Sequence, residues 1–367
     1  MPNTSKVAPR LRECDLYRPL PKGWVQCTAC HHWCAVPPEG AGKCGVRRNR
    51  EGKLYLVTYG KIAAMHVDPV EKKPLFHFHP GEPILSMGTV GCNLFCQFCQ
   101  NWQISQFREF KVDFETGQTD RWIGEDWPPD RVVDTARKMG VRLLAYTYNE
   151  PVVWAEYAHD IAELAKAEGM KNVFVSSGFE TKHAWNYMEP YLDAVNLDLK
   201  GFTEEFYKKI TGARLKPVLE NIEFLGTEKW GKVWMEVTTL LLHGYNDSEE
   251  EIRGMARFLA SVNPEIPWHL TAAHPDYKMQ DLEYTPRTVL LKAYDIAKEE
   301  GLKFVYLGNI RDPEHESTYC PDCGELLIYR DVYRIKPMWK EPGVCPRCGR
   351  KIPGVWTWEQ KEAKDEA

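Results

Sequence analysis

Twelve cysteines are the chemistry-bearing residues of this chain, and eleven of them fall into three tight groups, leaving Cys14 alone. Cys92, Cys96 and Cys99 stand in GCNLFCQFCQNW at Cys-x3-Cys-x2-Cys spacing. Three thiolates on one short loop can hold three irons of a [4Fe-4S] cluster and leave the fourth iron open. Structural zinc takes four protein ligands, and after Cys99 no cysteine follows until Cys320. An open iron suits S-adenosylmethionine (SAM), whose methionine amino and carboxylate groups can chelate there. A fourth nearby cysteine would close the cluster and make it an electron carrier.

The other two groups bracket this one. Cys27, Cys30, Cys34 and Cys44 could build a four-thiolate site, with His31 and His32 as alternative nitrogen ligands. Structural zinc, an auxiliary iron–sulfur cluster and free thiols packed in the fold all remain open there. Near the C-terminus CPDCG (Cys320, Cys323) and CPRCG (Cys345, Cys348) repeat one knuckle. Two knuckles together make a tetrahedral four-sulfur site, as in zinc-ribbon and rubredoxin-like modules, for either zinc or iron. In a reducing cytosol, clustered cysteines imply metal sites rather than disulfides.

The elements that position these groups follow from the apolar pattern. Strands are expected at 84–90, 141–148, 172–177, 194–200, 233–242, 268–273 and 304–310, and helices at 130–140, 152–169, 249–262 and 286–301. Near-continuous apolar strands alternating with helices mean a parallel sheet with helical crossovers. In a barrel of such units, chemistry sits on loops at the C-terminal ends of strands, and the three-cysteine loop follows the first of them. We expect an N-terminal Cys-rich extension over 1–82, a partial barrel over 83–312 and a four-cysteine module over 313–367, ending in a charged tail.

At 367 residues with 43% hydrophobic and 27% charged, the chain has the balance of a globular protein. A formal net charge of -5 gives no electrostatic reason to bind nucleic acid or an anionic membrane. No apolar run approaches the roughly 20 residues of a membrane helix, and the first residues lack the apolar core of a secretory signal. The expected location is the cytoplasm.

The cysteine loop resembles that of the radical SAM superfamily, whose typical member is a (β/α)6 partial TIM-like barrel carrying this loop after its first strand. The resemblance implies that Phe98 lies against adenine, and that Asn149 and Glu150 of YTYNEPVVWAEY receive the methionine ammonium. A carboxylate facing an ammonium in a partly desolvated pocket is a strong charge-assisted bond. Glu150 followed by Pro151 also reads as a helix N-terminal acid. The resemblance places Ser177 of VSSGF toward the ribose or the methionine carboxylate. In NLDLK the two-residue strand period sets Asp198 and Lys200 on one face. Pyruvate formate-lyase activating enzymes carry a matching Asp-Leu-Lys near SAM and a cation. Their acid before the Thr-Asn-Gly turn is Val175 here, which argues against the cation. His274 of WHLTAAHPDYKM matches a SAM-side histidine.

The stretches CTACHHWCAVPPEGAGKCGVRRNREGKLYL, VDPVEKKPLFHFHPG, AYTYNEP, HPDYKM and YLGN, with the paired cysteines, resemble the radical SAM member of the AmmeMemoRadiSam system. One departure is TAAHPDY, where that group more often has Ser-Arg-Phe before His-Pro. The implied function is reductive cleavage of SAM by the [4Fe-4S] cluster to a 5′-deoxyadenosyl radical that abstracts hydrogen from a substrate. The substrate is a protein backbone, as for a glycyl-radical activase, or a small molecule or protein linked to a Memo-like partner. The implied partners are an electron donor such as ferredoxin or flavodoxin, and Memo-like and AMMECR-type proteins. A non-enzymatic metal-binding adaptor is the rival class, and the intact three-cysteine loop with Glu150 argues against it.

Overall fold

The computed structural model describes residues 11–357; the charged tail, 358–367, lies outside them. Its main sheet has eight strands in sequential order: Ala64–Pro69 (β1), Pro83–Gly88 (β2), Leu143–Tyr146 (β3), Lys171–Ser176 (β4), Ala194–Asp198 (β5), Trp234–Leu241 (β6), Trp268–Ala272 (β7) and Val305–Gly308 (β8). Strands β2 to β8 are parallel, and β1 runs antiparallel along the β2 edge. The seven parallel strands fall within the expected segments, to within a residue. Among the described residues no ladder joins β1 to β8, so the hydrogen bonding is that of an open α/β sheet.

The helices cover one face of the sheet. They are Pro129–Lys138 (α1), Ala155–Ala167 (α2), Lys182–Met188 (α3), Leu215–Gly226 (α4), Glu249–Val262 (α5) and Arg287–Glu299 (α6). Leu85, Leu144, Phe174, Val195 and Val237 of the strands pack with Val132, Ile161, Ile222 and Leu259 of the helices in one buried core. α5 begins where expected: the Ser248 side chain accepts from the Glu251 amide, and three glutamates fill the first turn. Among the described residues no helix is long and apolar enough to cross a membrane.

The opposite face is graded along the strands. Its lower layer is apolar: Ile84, Leu143, Ala145, Val173, Ala194 and Trp234 pack with Phe78. Above it residues 74–78 cross the sheet as a plug. The Phe76 and His77 amides donate to Glu236 at 3.0 and 2.7 Å, Trp234 Nε1 donates at 2.9 Å, and His269 Nε2 lies 2.6 Å away. Asn196 Nδ2 donates to the Pro74 carbonyl at 2.8 Å. Glu236 is fully buried, and although burial pushes its carboxyl up, His269 and the other donors hold it below the ordinary 4.5.

Two appendages brace this body. Three-stranded antiparallel sheets fold the N-terminal segment: Arg12–Glu13 with Lys53–Leu56 and Arg47–Arg50, and Tyr17–Pro19 with Val25–Cys27 and Ala35–Val36. The buried Arg47 ties them to α2 through Glu156 at 2.5 Å. At the other end Thr318–Tyr319, Leu326–Asp331 and Arg334–Pro337 form a small sheet beside the four cysteines. Its buried Arg330 donates to the Phe76 carbonyl at 2.7 Å, and the His77 carbonyl accepts from the Val355 amide at 2.7 Å. The module therefore grips the plug.

The C-terminal knuckles are alike in their backbone bonds. Gly324 donates to the Cys320 carbonyl and Gly349 to the Cys345 carbonyl, each at 2.9 Å. The Cys320–Cys348 and Cys323–Cys345 sulfurs are 3.5 and 3.6 Å apart, and all four lie within 4.8 Å of one another. Tetrahedral ligands about 2.3 Å from one ion sit about 3.8 Å apart, so the quartet has the span of a single zinc or iron. Amides of Cys348 and Arg347, against the opposing effect of burial, hold the Cys345 thiol down to about 7.

Two expectations follow. Glu236→Ala leaves two amides, an indole and an imidazole without their buried acceptor, and costs about 3–5 kcal/mol in denaturant unfolding. In the wild type that contribution is complete above the ordinary carboxyl value of 4.5 and fades as pH falls through the lower folded value, because the unfolded chain binds the proton first. Second, a Cys320→Ser/Cys348→Ser variant loses one metal equivalent per chain by elemental analysis, with no change in acid-labile sulfide.

Candidate functional site

A cavity of about 250 Å³ opens at the C-terminal ends of the parallel strands. The side chains that reach it come from successive strand ends: Thr147 and Glu150 after β3, Val175 and Ser177 from β4, Asp198 and Lys200 from β5, Thr238 and Leu240 from β6, and Thr271 from β7. Cys92, Cys96 and Cys99 line its mouth with Phe98, and no fourth cysteine does. This is where a parallel sheet places chemistry: strand C-termini converge while the loops beyond them vary.

The cysteine loop, residues 91–99, has no regular structure, so its backbone groups must find partners elsewhere. Arg108 donates to the carbonyls of Cys92, at 3.1 Å, and Leu94, and its guanidinium lies 3.7 Å from the Phe95 ring centroid. His32 Nε2 lies 2.8 Å from the Asn93 carbonyl. The Phe95 and Gln97 amides donate to the carbonyls of Thr211 and Ile210, at 2.7 and 3.0 Å. Gly91 has φ of 83°, and a side chain there would meet the Cys44 carbonyl at 2.6 Å and Val46 at 2.7 Å. The loop begins with glycine because the N-terminal segment passes directly against it.

Glu150 sits at the back of the cavity, 1% exposed. Its carboxylate accepts from the Ser177 amide at 2.9 Å, the Ser177 hydroxyl at 2.6 Å and the Val152 amide at 3.2 Å. The last bond caps the turn Pro151–Trp154, so the helix-terminal role holds together with a place in the cavity. Ser176 Oγ bonds to both Glu150, at 3.0 Å, and the buried Glu180. Burial raises both acids; Glu180 rises further, with the charge of Glu150 beside it. The two amides and the hydroxyl that bond to Glu150 favour its charged form.

Asp198 and Lys200 form an ion pair of 2.7 Å at the cavity wall, and the Lys200 ammonium is 5.8 Å from the Phe98 ring centroid. Although burial works to neutralise Lys200, Asp198 and Cys96 raise it well above its ordinary value. Burial pushes the Cys92 and Cys96 thiols up, so loading them with metal releases protons.

Two further expected residues have side chains engaged by the protein itself. Asn149 lines the cavity, but its amide is engaged. Nδ2 donates to the Gly91 carbonyl at 2.7 Å and to Thr89 Oγ1 at 3.0 Å, while Oδ1 accepts from Trp154 Nε1 at 3.2 Å. It stitches the start of the cysteine loop to β3. His274 is not among the residues lining the cavity. Thr285 takes the Ala273 amide at 2.8 Å, and His274 Nδ1 turns to the Pro275 carbonyl at 3.0 Å. Sequence reasoning missed Thr238, Thr271 and Asn309, which do line the cavity. The register sets Thr238 beside Asp198, a pairing between strands that the sequence does not carry. A second cavity of about 330 Å³ adjoins it through shared Pro74, Thr271 and Asn309, and adds Glu71, Lys72 and Arg311.

Three thiolates on one fixed loop, with an anionic carboxylate across from them, fit a [4Fe-4S] cluster with one open corner and a cationic amino-acid ligand on it. Comparisons agree with this reading. A model of the radical SAM superfamily matches residues 87–259. The uncharacterized protein MJ0808 of Methanocaldococcus jannaschii is 38% identical over 345 residues, 93% of this chain and 99% of the relative. A GTP 3',8-cyclase of Lactiplantibacillus plantarum is 24% identical over 274 residues, 66% of this chain and 74% of the relative. A 4-hydroxyphenylacetate decarboxylase activating enzyme of Clostridioides difficile is 22% identical over 178 residues, 46% of this chain and 55% of the relative. The matched stretch opens on the strand that feeds the three-cysteine loop, and this chain belongs to the radical SAM superfamily as a radical SAM enzyme.

Proposed function

We propose that this enzyme abstracts hydrogen from a protein backbone in the cytoplasm, in the manner of a glycyl-radical activase. The observation that carries the chemistry is that three cysteines, and no fourth, line a cavity faced by a buried carboxylate. A [4Fe-4S] cluster bound there would supply the reductive cleavage of SAM. Every other task belongs to side chains. Cys92, Cys96 and Cys99 hold the cluster and leave one corner for the ligand. Glu150 receives the methionine ammonium, whose arrival offsets the burial of its charge. Ser177 holds Glu150 in place through amide and hydroxyl, and Phe98 gives the adenine a flat apolar wall. Lys200, paired with Asp198, offers a hydrogen-bonding ammonium at the wall near Phe98. Pro74 of the plug forms part of the cavity wall and would keep water from that side of a bound ligand.

The backbone substrate is supported by the Asp198-Leu-Lys200 match to activating enzymes and by the similarity to a decarboxylase activating enzyme. The electron enters from a low-potential carrier such as a ferredoxin or flavodoxin. Memo-like and AMMECR-type proteins are proposed as functional partners on the whole-chain motif combination.

The test is anaerobic reconstitution with iron and sulfide, followed by SAM and dithionite. The wild type forms 5′-deoxyadenosine and methionine, and Cys96→Ala drops formation at least about 100-fold, to background. Glu150→Gln keeps the cluster but weakens SAM binding about 10-fold or more, the scale of one charge-assisted bond. Undiminished SAM cleavage by Cys96→Ala overturns the assignment of the loop. A candidate partner supplied with deuterium at its glycine Cα must transfer the label to 5′-deoxyadenosine; transfer only from a small molecule overturns the backbone substrate.

A further inference from the structure

We propose that Cys27, Cys30, Cys34 and Cys44 bind a second iron–sulfur cluster, a [4Fe-4S] centre closed by four thiolates, back to back with the SAM loop. The four cysteines line one narrow cavity with His32, Lys43, Asn93 and Val152. They come from three separate places in the chain: the end of Val25–Cys27, the turn after it, and the turn before Arg47–Arg50. The hairpin sets Cys27 beside Cys34, whose carbonyl accepts from the Cys27 amide at 2.9 Å, and Cys30 and Cys44 close on the same space.

The surroundings hold a buried donor that lacks an acceptor. Asn93 also lines this cavity; it is 1% exposed, and its Nδ2 finds no partner in the described structure. A buried amide donor left unbonded is unfavourable, and a thiolate or bridging sulfide is the acceptor it lacks.

The ligand set reduces to sulfur. His32 has Nε2 against the Asn93 carbonyl at 2.8 Å and Nδ1 near Lys43 Nζ at 3.4 Å, and His31 does not line the cavity. The span decides the nuclearity. Among the described residues the C-terminal quartet is the group whose ligand atoms all gather within 4.8 Å, and the N-terminal cysteines do not gather so. One ion draws its sulfurs to about 3.8 Å from each other. Cysteines that enclose a cavity at wider spacing suit a cluster, where each sulfur binds a different iron. With all four corners taken, this centre cannot chelate SAM. It shares the residue Asn93 with the SAM loop, directly beside Cys92, and Val152 lies two residues beyond Glu150.

The test uses the full chain, reconstituted anaerobically with iron and sulfide. A Cys92→Ala/Cys96→Ala/Cys99→Ala variant is expected to keep roughly four irons and four acid-labile sulfides per chain, with the absorption of a [4Fe-4S] centre. Adding Cys30→Ala and Cys44→Ala removes that sulfide. The wild type itself gives a second reading that does not depend on any variant folding: roughly eight sulfides per chain, against four for the SAM loop alone. Sulfide reports on clusters only, so iron in the C-terminal quartet does not disturb the count. A loop variant free of sulfide, a wild type with only four, or zinc that leaves with Cys30 and Cys44 overturns the proposal. Absence of SAM cleavage with eight sulfides present would count against the function proposed above and leave this site standing.

Discussion

An irregular loop must be held still without a helix or strand to hold it, and the rest of the molecule is arranged around that constraint. Residues 91–99 carry backbone groups that no ladder satisfies. Arg108, His32 and the carbonyls of Ile210 and Thr211 take them up, while Asn149 fixes the residues just before. These partners come from four other segments of the chain. Each makes one or two hydrogen bonds, and together they hold the three cysteines on one cavity. The position of the open corner is thus a property of the whole fold rather than of the cysteine spacing.

The charges of the cavity follow the same logic of placement. Two acids share one serine hydroxyl, and burial cannot tolerate both as anions. The two amides and the Ser177 hydroxyl on Glu150 favour its charged form and fix it as the acceptor in the cavity. On the near wall Lys200 is neutralised by Asp198, so it brings a hydrogen-bonding ammonium without a net positive field. A ligand with an ammonium at one end therefore has one preferred direction in which to lie. Val175 adds an apolar stretch to the same wall.

Much of this was legible in the residues alone. The parallel strands and helices announced themselves by apolar period and glycine stops, and the loop cysteines by spacing. The C-terminal quartet was legible as a tetrahedral site because its two knuckles repeat. What spacing could not convey was direction. Asn149 reads like a ligand-facing residue, and only the path of residues 89–91 shows that its amide is consumed by the loop. His274 follows a strand end, as a site residue should, yet the chain turns its ring away to Tyr284. Threonines 238 and 271 looked like ordinary strand residues, since a β-branched side chain is favoured there whether or not it faces a cavity. The plug was hidden for another reason: residues 74–78 form no element of their own, and their partners, Glu236 and Arg330, are 160 and 254 residues away.

That plug explains why the metal module at the C-terminus matters to a cavity it does not line with its cysteines. Arg330 reaches across to the Phe76 carbonyl, and the segment near Val355 bonds to both sides of His77. The plug in turn meets Glu236, two residues below Thr238 on the same strand face. A single ion held by the four cysteines would fix the small sheet; the small sheet grips the plug, and Pro74 of the plug lines the cavity. Buried polar groups of this kind are costly when one member is lost, because the others stay desolvated. Looseness introduced at the outer cysteines would therefore be felt first as looseness of the plug, before any ligand of the cavity itself is touched.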